Sequence, residues 1–555
     1  MDIQEQPEQT LPLYDQSFYD PQAGEQTQPR MKSVAPAPPV RGQGREPQVR
    51  QAYGAGRPKR GLSRRALLGV TAGVGTAVVV GGGVELVNAW HDGSLNFFSH
   101  GPIASSMQIG HLLRRAGFGA SANDLNTWRN YDFSGAVDHL IHYQQVSDDV
   151  TESRLASLHL DLQSNIADMQ RWWLLRMAWT QRPLLEKMTL FWHGMLTSSY
   201  RKVGGKKGYP LMMKQNQFFR AHAFDTFDNI LLGITSDPAM LYYLDLTKSH
   251  KNAPNENYAR ELMELFTLGV GNYTQQDVYQ GAAALTGWHV RDGSGFYNVH
   301  DHNTLSKTYL GHTGNLDYKD VINILTNHPK APWFLCRKLF TFFVYENPSD
   351  ADMQPLVDTY VKSGHNIGEV MKTLLLSPQF MSSKAYRARL KSPAEFVVGA
   401  YRALDIQGDG KRLPLMTTSM GQTLFDPPNV AGWTGDKLSA TWLNSGAWMT
   451  RLNYLDTLLT GNRNAASGVA PVDIQGIVTA QHIQTPDRFV DYFSSFLLDG
   501  TLESGRRTSL INYFTTPLKS RGEAQVTLGN GTHYSLSNAR GTLYLMLASP
   551  EYQLN

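Results

Sequence analysis

The 555-residue chain has a single cysteine, Cys336. That excludes a disulfide framework and any site built from several thiolates. Charge is scarce as well. Asp, Glu, Lys and Arg make up 18% of residues, against roughly 25% in typical soluble domains. From residue 66 onward, 41 basic residues face 41 acidic ones. A general nucleic-acid binder needs a basic excess to neutralise phosphates, so nucleic acid is not an expected partner. The motifs that would name a chemistry outright are missing: no Gly-rich phosphate loop, no Gly-x-Ser-x-Gly elbow, no His-Glu-x-x-His pair. Gly204-Gly205-Lys206-Lys207-Gly208 lacks the phosphate-loop spacing and its Ser/Thr, and reads as a basic surface loop. The sequence specifies no cofactor. It does hold 41% hydrophobic and 11% aromatic residues, enough to bury a core and to exclude global disorder.

The first ninety residues differ from the rest. Up to Pro58 there are ten Gln and nine Pro, with few aliphatics and no period, which predicts a disordered tail over 1–63. Residues 1–29 carry six acids and no Lys or Arg, whereas 30–65 carry ten basic residues and one acid. The stretch Ala66–Val84 is 19 residues without a charge. Extended to Val87, it is long enough to span a hydrocarbon core of about 30 Å as a helix. Ser63-Arg64-Arg65-x-Leu-Leu resembles a twin-arginine export signal, and Val87-Asn88-Ala89 a small-residue cleavage site ending at Ala89. Residues 64–89 are therefore expected to act as a signal or as a transmembrane anchor in the cytoplasmic membrane. The basic flank keeps the tail cytoplasmic and puts the folded part at the cell membrane or outside it. Gly69 stands where export signals usually carry Lys, and the tail ahead of the arginines is long.

From Met107 onward the pattern is helical. Phe219, Ala223, Phe227, Leu231 and Ile234 recur every three or four residues, as do Phe334, Leu335, Leu339, Phe342 and Phe343, and Val370, Leu374 and Leu375. Alternating patterns are short, around Trp288–Val290 and Gln525–Leu528. The expected fold is all-α: a large multi-helix domain with few short strands, preceded by the disordered tail and one apolar signal or anchor helix. The Gly/Asn/Ala stretch Gly461–Gly468 divides a main helical domain, 105–460, from a C-terminal helical unit, 469–555.

The most informative block is Asn255–Gly269. Asn255 is placed to cap a helix and Gly269 to close it. Leu262, Leu265, Phe266 and Leu268 form an apolar face. Asn257, Arg260, Glu261 and Glu264 share the other. Arg260 is the only cation against Glu256, Glu261 and Glu264, so at least one acid must meet a residue from elsewhere, water or a cation. Thr274 and Asp277 form a capping box for the next helix. Glu261 and Glu264 offer paired carboxylates for acid–base work or a cation, or else a salt-bridged face that orients two helices. His300-Asp301-His302 lies in a Gly-rich loop that includes Lys307 and His312. His300 and His302 would point the same way on an extended chain, yet His-x-His alone is a weak metal signal among 17 histidines. His193, in Leu190-Phe191-Trp192-His193-Gly194-Met195, suits a hydrogen-bonded core residue better than a ligand. The turn Phe425-Asp426-Pro427-Pro428-Asn429-Val430-Ala431-Gly432-Trp433 presents Trp433, for core packing or for a ligand pocket.

These blocks in this order resemble the bacterial domain-of-unknown-function family 1800. The matching stretches run from His111–Gly119 through Phe191-Trp192-His193, Asn255–Gly271, Thr286-Gly287-Trp288, His300-Asp301, Lys307–Gly311 and Ser392-Pro393 to Met420–Trp433, within about residues 108–458. Members of that family are often exported, and often encoded beside a second family that resembles sulfatases and alkaline phosphatases. The resemblance therefore implies an exported hydrolase of that kind as a partner. Family members often read Trp-His-x-His, whereas Met195 fills the second position here. The expected site is a polar cleft drawing on Asn257, Arg260, Glu261, Glu264, His300, Asp301 and Lys307, with His111, His193 and Trp433 also contributing. Glu261, Glu264, His300 and Asp301 are its candidate catalytic groups. Whether the cleft binds a ligand and supports hydrolysis, or the chain is a scaffold for its partner, is open at this level.

Overall fold

A computed structural model describes residues 105–461, 471–500, 502–518 and 522–555. The expected tail and the signal or anchor at Arg64, Arg65 and Ala89 lie outside the described residues. Among the described residues, no helix is long and apolar enough to cross a membrane.

The described chain is mainly helical, as its periodicity predicts. Its strands are confined to three two-stranded hairpins: Trp288–Arg291 with Ser294–Tyr297, Lys307–Tyr309 with His312–Gly314, and Gln525–Thr527 with His533–Ser535. The first turns through Asp292 and Gly293, both at positive φ (49° and 69°), the backbone that a tight two-residue hairpin loop requires. The stripe from Phe219 to Ile234 is buried throughout but is shared by two helices, Tyr209–Ala221 and Phe227–Ser236, with Ala223 in the link between them. Thr226 caps the second by accepting from the Asn229 N–H, and that cap interrupts what apolar spacing alone reads as one helix.

Several helix ends are closed by buried charge. The helix Ala331–Phe343 ends at Arg115, whose guanidinium donates to the carbonyls of Phe342, Phe343 and Val344 at 3.1, 2.9 and 3.2 Å. Burial and then the neighbouring Arg389 push that guanidinium down to about 9. Glu186, 1% exposed, accepts from Arg176 (2.8 Å), Trp173 (3.0 Å) and both arms of Arg220. Lys187 bonds Glu395 and the Gly117 carbonyl. Arg114 and Tyr386 meet on Asp499.

The C-terminal segment is knit into the same body. The Lys391 N–H donates to the Gln553 carbonyl (2.9 Å) and the Asn555 N–H to that of Arg389 (2.7 Å). Arg451 reaches the Gln553 amide oxygen at 3.0 Å. Asp499 brings the segment onto the first described helix, Ser105–Arg115.

Candidate functional site

The Asn255 block begins as its sequence predicts. The Asn255 side chain accepts from the Asn257 N–H at 3.0 Å, and its own N–H is held by Ser249 Oγ at 3.0 Å. The α-helix proper covers only Glu256–Glu261. Leu262–Thr267 then widens into a π-helix, with the Leu268 N–H bonding the Met263 carbonyl at 2.8 Å. Such wide turns occur mostly as single bulges, often at functional sites. The apolar face is buried: Tyr258, Leu262, Met263 and Phe266 are at 0% exposure.

The charged face sorts itself by partner. Arg260 donates to Glu256 at 3.0 Å and to Gln275 at 3.0 Å, and Gln275 donates back to Glu256 at 2.9 Å. This triangle joins the helix to its neighbour, Gln275–Ala284, which starts at the Thr274–Asp277 capping box. Glu264 accepts from the Tyr273 hydroxyl. Glu261 is left over. Half-buried, it has no hydrogen bond or ion pair among the described residues. Burial first, then the adjacent Glu264, raise its carboxyl above the usual range. Tyr243, a mostly buried phenol, is raised by burial and also by the charges of Asp426 and Glu261. The Asn255 block and the Pro427 turn are thus brought toward one tyrosine. Asp426 is fixed by Ser199 and Arg201.

Asp301 has a different setting. His250 Nδ1 and His289 Nε2 approach the same Asp301 oxygen, at 2.6 and 3.0 Å. The other oxygen accepts the Lys251 N–H at 3.3 Å. Neither histidine signals itself in sequence. They lie 51 and 12 residues from Asp301, with no local spacing motif. The one available hint is that His289 directly follows the Thr286-Gly287-Trp288 block, on a strand.

His300 and His302 do not share a side, because Val299–Asp301 is a tight helical turn rather than extended chain. The His300 side chain is exposed. His302 is buried, with Nδ1 on the Thr286 carbonyl at 3.1 Å. The three Lys307 ammonium bonds go to Asn303 O (2.6 Å), Leu305 O (2.8 Å) and Asn315 Oδ1 (3.3 Å), so this lysine pins its own loop. His111 is fully buried, with Nε2 on the Phe380 carbonyl at 2.9 Å. His193 accepts the Phe425 N–H at 3.0 Å. Burial pushes its imidazole down to about 3, which keeps it neutral and an acceptor. It packs on Trp433 with ring centroids 5.4 Å apart, and Trp433 is 3% exposed. At Gly432 (φ 79°) a Cβ would come within 2.2 Å of the Gly194 carbonyl, so the Pro427 turn fits this helix only through glycine. Met195 packs in the core at 5% exposure. His111 and His193 are therefore interior, while Asp301 gathers its histidines from elsewhere.

Residues 111–554 match the model of the family described as "Protein of unknown function (DUF1800)". That span continues through the C-terminal segment, beyond the region in which the sequence blocks lie. No curated protein and no solved structure matches the chain.

Proposed function

The chain belongs to the DUF1800 family, and from that premise we propose that it works outside the cytoplasmic membrane, exported or anchored through residues 64–89. There its polar face at Glu261 binds a ligand and supports hydrolysis by acid–base chemistry. One observation carries the reading: Glu261 is the acid its helix leaves without a partner, and its carboxyl is raised by burial and by Glu264. A carboxyl so raised can hold a proton nearer neutrality than an ordinary glutamate, as a general acid or base requires. The role of orienting two helices belongs instead to the Glu256–Arg260–Gln275 triangle, which leaves Glu261 free for chemistry.

Location is tested first. Protease added to spheroplasts should digest the folded region, and Arg64→Lys with Arg65→Lys should keep it inside. Protection of the folded region in the wild type would overturn the topology. Chemistry is tested on the full chain with the p-nitrophenyl esters of acetate, phosphate and sulfate. Hydrolysis of one of them that is lost in Glu261→Gln at unchanged melting temperature supports the reading. A wild type inert toward all three returns the chain to the alternative, a non-catalytic partner of an exported sulfatase- or phosphatase-like hydrolase.

A further inference from the structure

We propose that His250, His289 and Asp301 form a site for one first-row divalent metal ion of the zinc type, with no ligand drawn from Glu261. One ligand atom from each residue lies within 4.8 Å of the others. The two measured edges, His250 Nδ1 to Asp301 Oδ2 at 2.6 Å and His289 Nε2 to the same oxygen at 3.0 Å, bear on the fit. Ligands bonded to zinc at about 2.1 Å stand roughly 3.0–3.4 Å apart, depending on whether the angle is square or tetrahedral. The His289 edge already falls in that range, whereas the His250 edge must open by about 0.4 Å or more to admit an ion bonded to both residues.

The arrangement is fixed from three directions. His289 rides on the strand Trp288–Arg291, locked into its hairpin across Phe296. His250 begins a turn closed by backbone bonds in both directions with Ala253. Asp301 ends a turn capped by the Asn298 side chain, and its free oxygen is held by the Lys251 N–H. The Lys251 ammonium, the nearest basic group bonded to this turn, is anchored on the His300 carbonyl at 3.1 Å. A carboxylate whose second oxygen is bonded to the backbone while the first faces two imidazoles matches the outer-shell support that metal ligands usually have.

The donor set selects the ion. Two imidazoles and one carboxylate suit zinc, cobalt, nickel or ferrous iron, whereas calcium and magnesium favour all-oxygen shells. The His250 and His289 side chains are 50% and 31% exposed, so coordination positions would remain open to water or to a ligand. Three protein ligands with an open position is the pattern of reactive rather than purely structural zinc.

The test uses the full chain in mild detergent, stripped with chelator and titrated with Zn²⁺ by calorimetry, then with Co²⁺ by visible absorption. One ion per chain is expected, with Co²⁺ bands of low-coordinate nitrogen and oxygen ligation. His289→Ala and Asp301→Ala should each weaken binding at least tenfold, while His300→Ala and Glu261→Gln leave it unchanged. Absence of a stoichiometric ion would overturn the site, as would wild-type affinity in His289→Ala or an equal loss in His300→Ala. If a ligand variant fails to fold, the wild-type Co²⁺ spectrum decides alone, since an octahedral aquo spectrum would refute protein ligation. A chain that binds the ion yet hydrolyses nothing leaves this site standing while the Glu261 reading falls. The reverse result does the opposite.

Discussion

Two acids mark the two ways this chain uses charge. Glu186 is sealed in the interior, with two arginines and an indole N–H on its oxygens. Glu261 is half-buried beside a second acid, and nothing described bonds it. Desolvation pushes both carboxyls up. At Glu186 the guanidiniums of Arg220 and Arg176 outweigh it and hold the group down, whereas at Glu261 the neighbouring Glu264 adds to it. A buried charge with every oxygen satisfied is architecture, because removing it strands its partners. A half-exposed charge without a partner adds little to stability and remains free to act on something else.

The largest expected effect tests the interior side. Glu186→Ala should cost about 3–5 kcal/mol in urea unfolding, because Arg220 would lose its carboxylate partner while Arg176 and the Trp173 N–H would each lose an acceptor. A loss under about 1 kcal/mol would erase the contrast. Next is acid. Burial raises the Glu395 carboxyl, but Lys187 and the Ser392 N–H outweigh that and hold it at about 2, below an ordinary 4.5. Its contribution is complete above about pH 4.5 and is lost as pH falls toward 2, worth about 3 kcal/mol in total. Glu395→Gln should flatten that limb of the stability–pH curve, and an unchanged limb would show that Lys187 does not govern the carboxyl.

Smaller still is His193→Ala, which strands the buried Phe425 N–H. About 1–3 kcal/mol should be lost on thermal unfolding, with partial recovery in His193→Gln if the amide oxygen reaches the same donor. Cys336, fully buried and with its thiol raised by burial, should resist thiol reagents until the chain is denatured. Fast labelling of the native protein would make it an exposed thiol. The smallest effect belongs to Glu261→Gln, whose unfolding free energy should stay within about 0.5 kcal/mol of wild type. A drop as large as that of Glu186→Ala would move Glu261 to the architectural side.

The sequence was most legible where local rules act. Asn255, Thr274 and Asp277 cap the helices their spacing predicts. The excess of acids over Arg260 correctly implied that some acid would look outside the helix for a partner. Glu264 found Tyr273, nine residues on, and Glu261 found none. What could not be read is non-local. His250 and His289 reach Asp301 from separate segments, and no period connects them. Lys307 looks like a free cation on a loop, but the loop folds its own carbonyls back onto it. His300 and His302 would share a side only on extended chain, and the backbone turns at Val299–Asp301. The apolar stripe is split where Thr226 caps the second helix and the backbone at 224–227 bonds the chain at 365–368, a non-local contact that apolar spacing does not encode.

The wide turn at Leu262–Thr267 also makes this segment a matter of phase. An α-helix advances about 100° per residue, and a stretch bonded five residues back holds one more residue in its loop of chain than a stretch bonded four back. Deleting one residue between Leu262 and Thr267 would let the segment close as ordinary α-helix from Asn255 to Gly269. Because the wide turn takes up one extra residue, the chain after the deletion would keep its facing toward the core, and only residues inside the turn would be re-aimed. The helix would be better formed, and losing Leu262 or Met263 would bring Glu261 and Glu264 to a spacing at which they no longer face the same way. The widened turn acts as a mechanical offset: it sets the angle between two acids that a regular helix would have fixed differently.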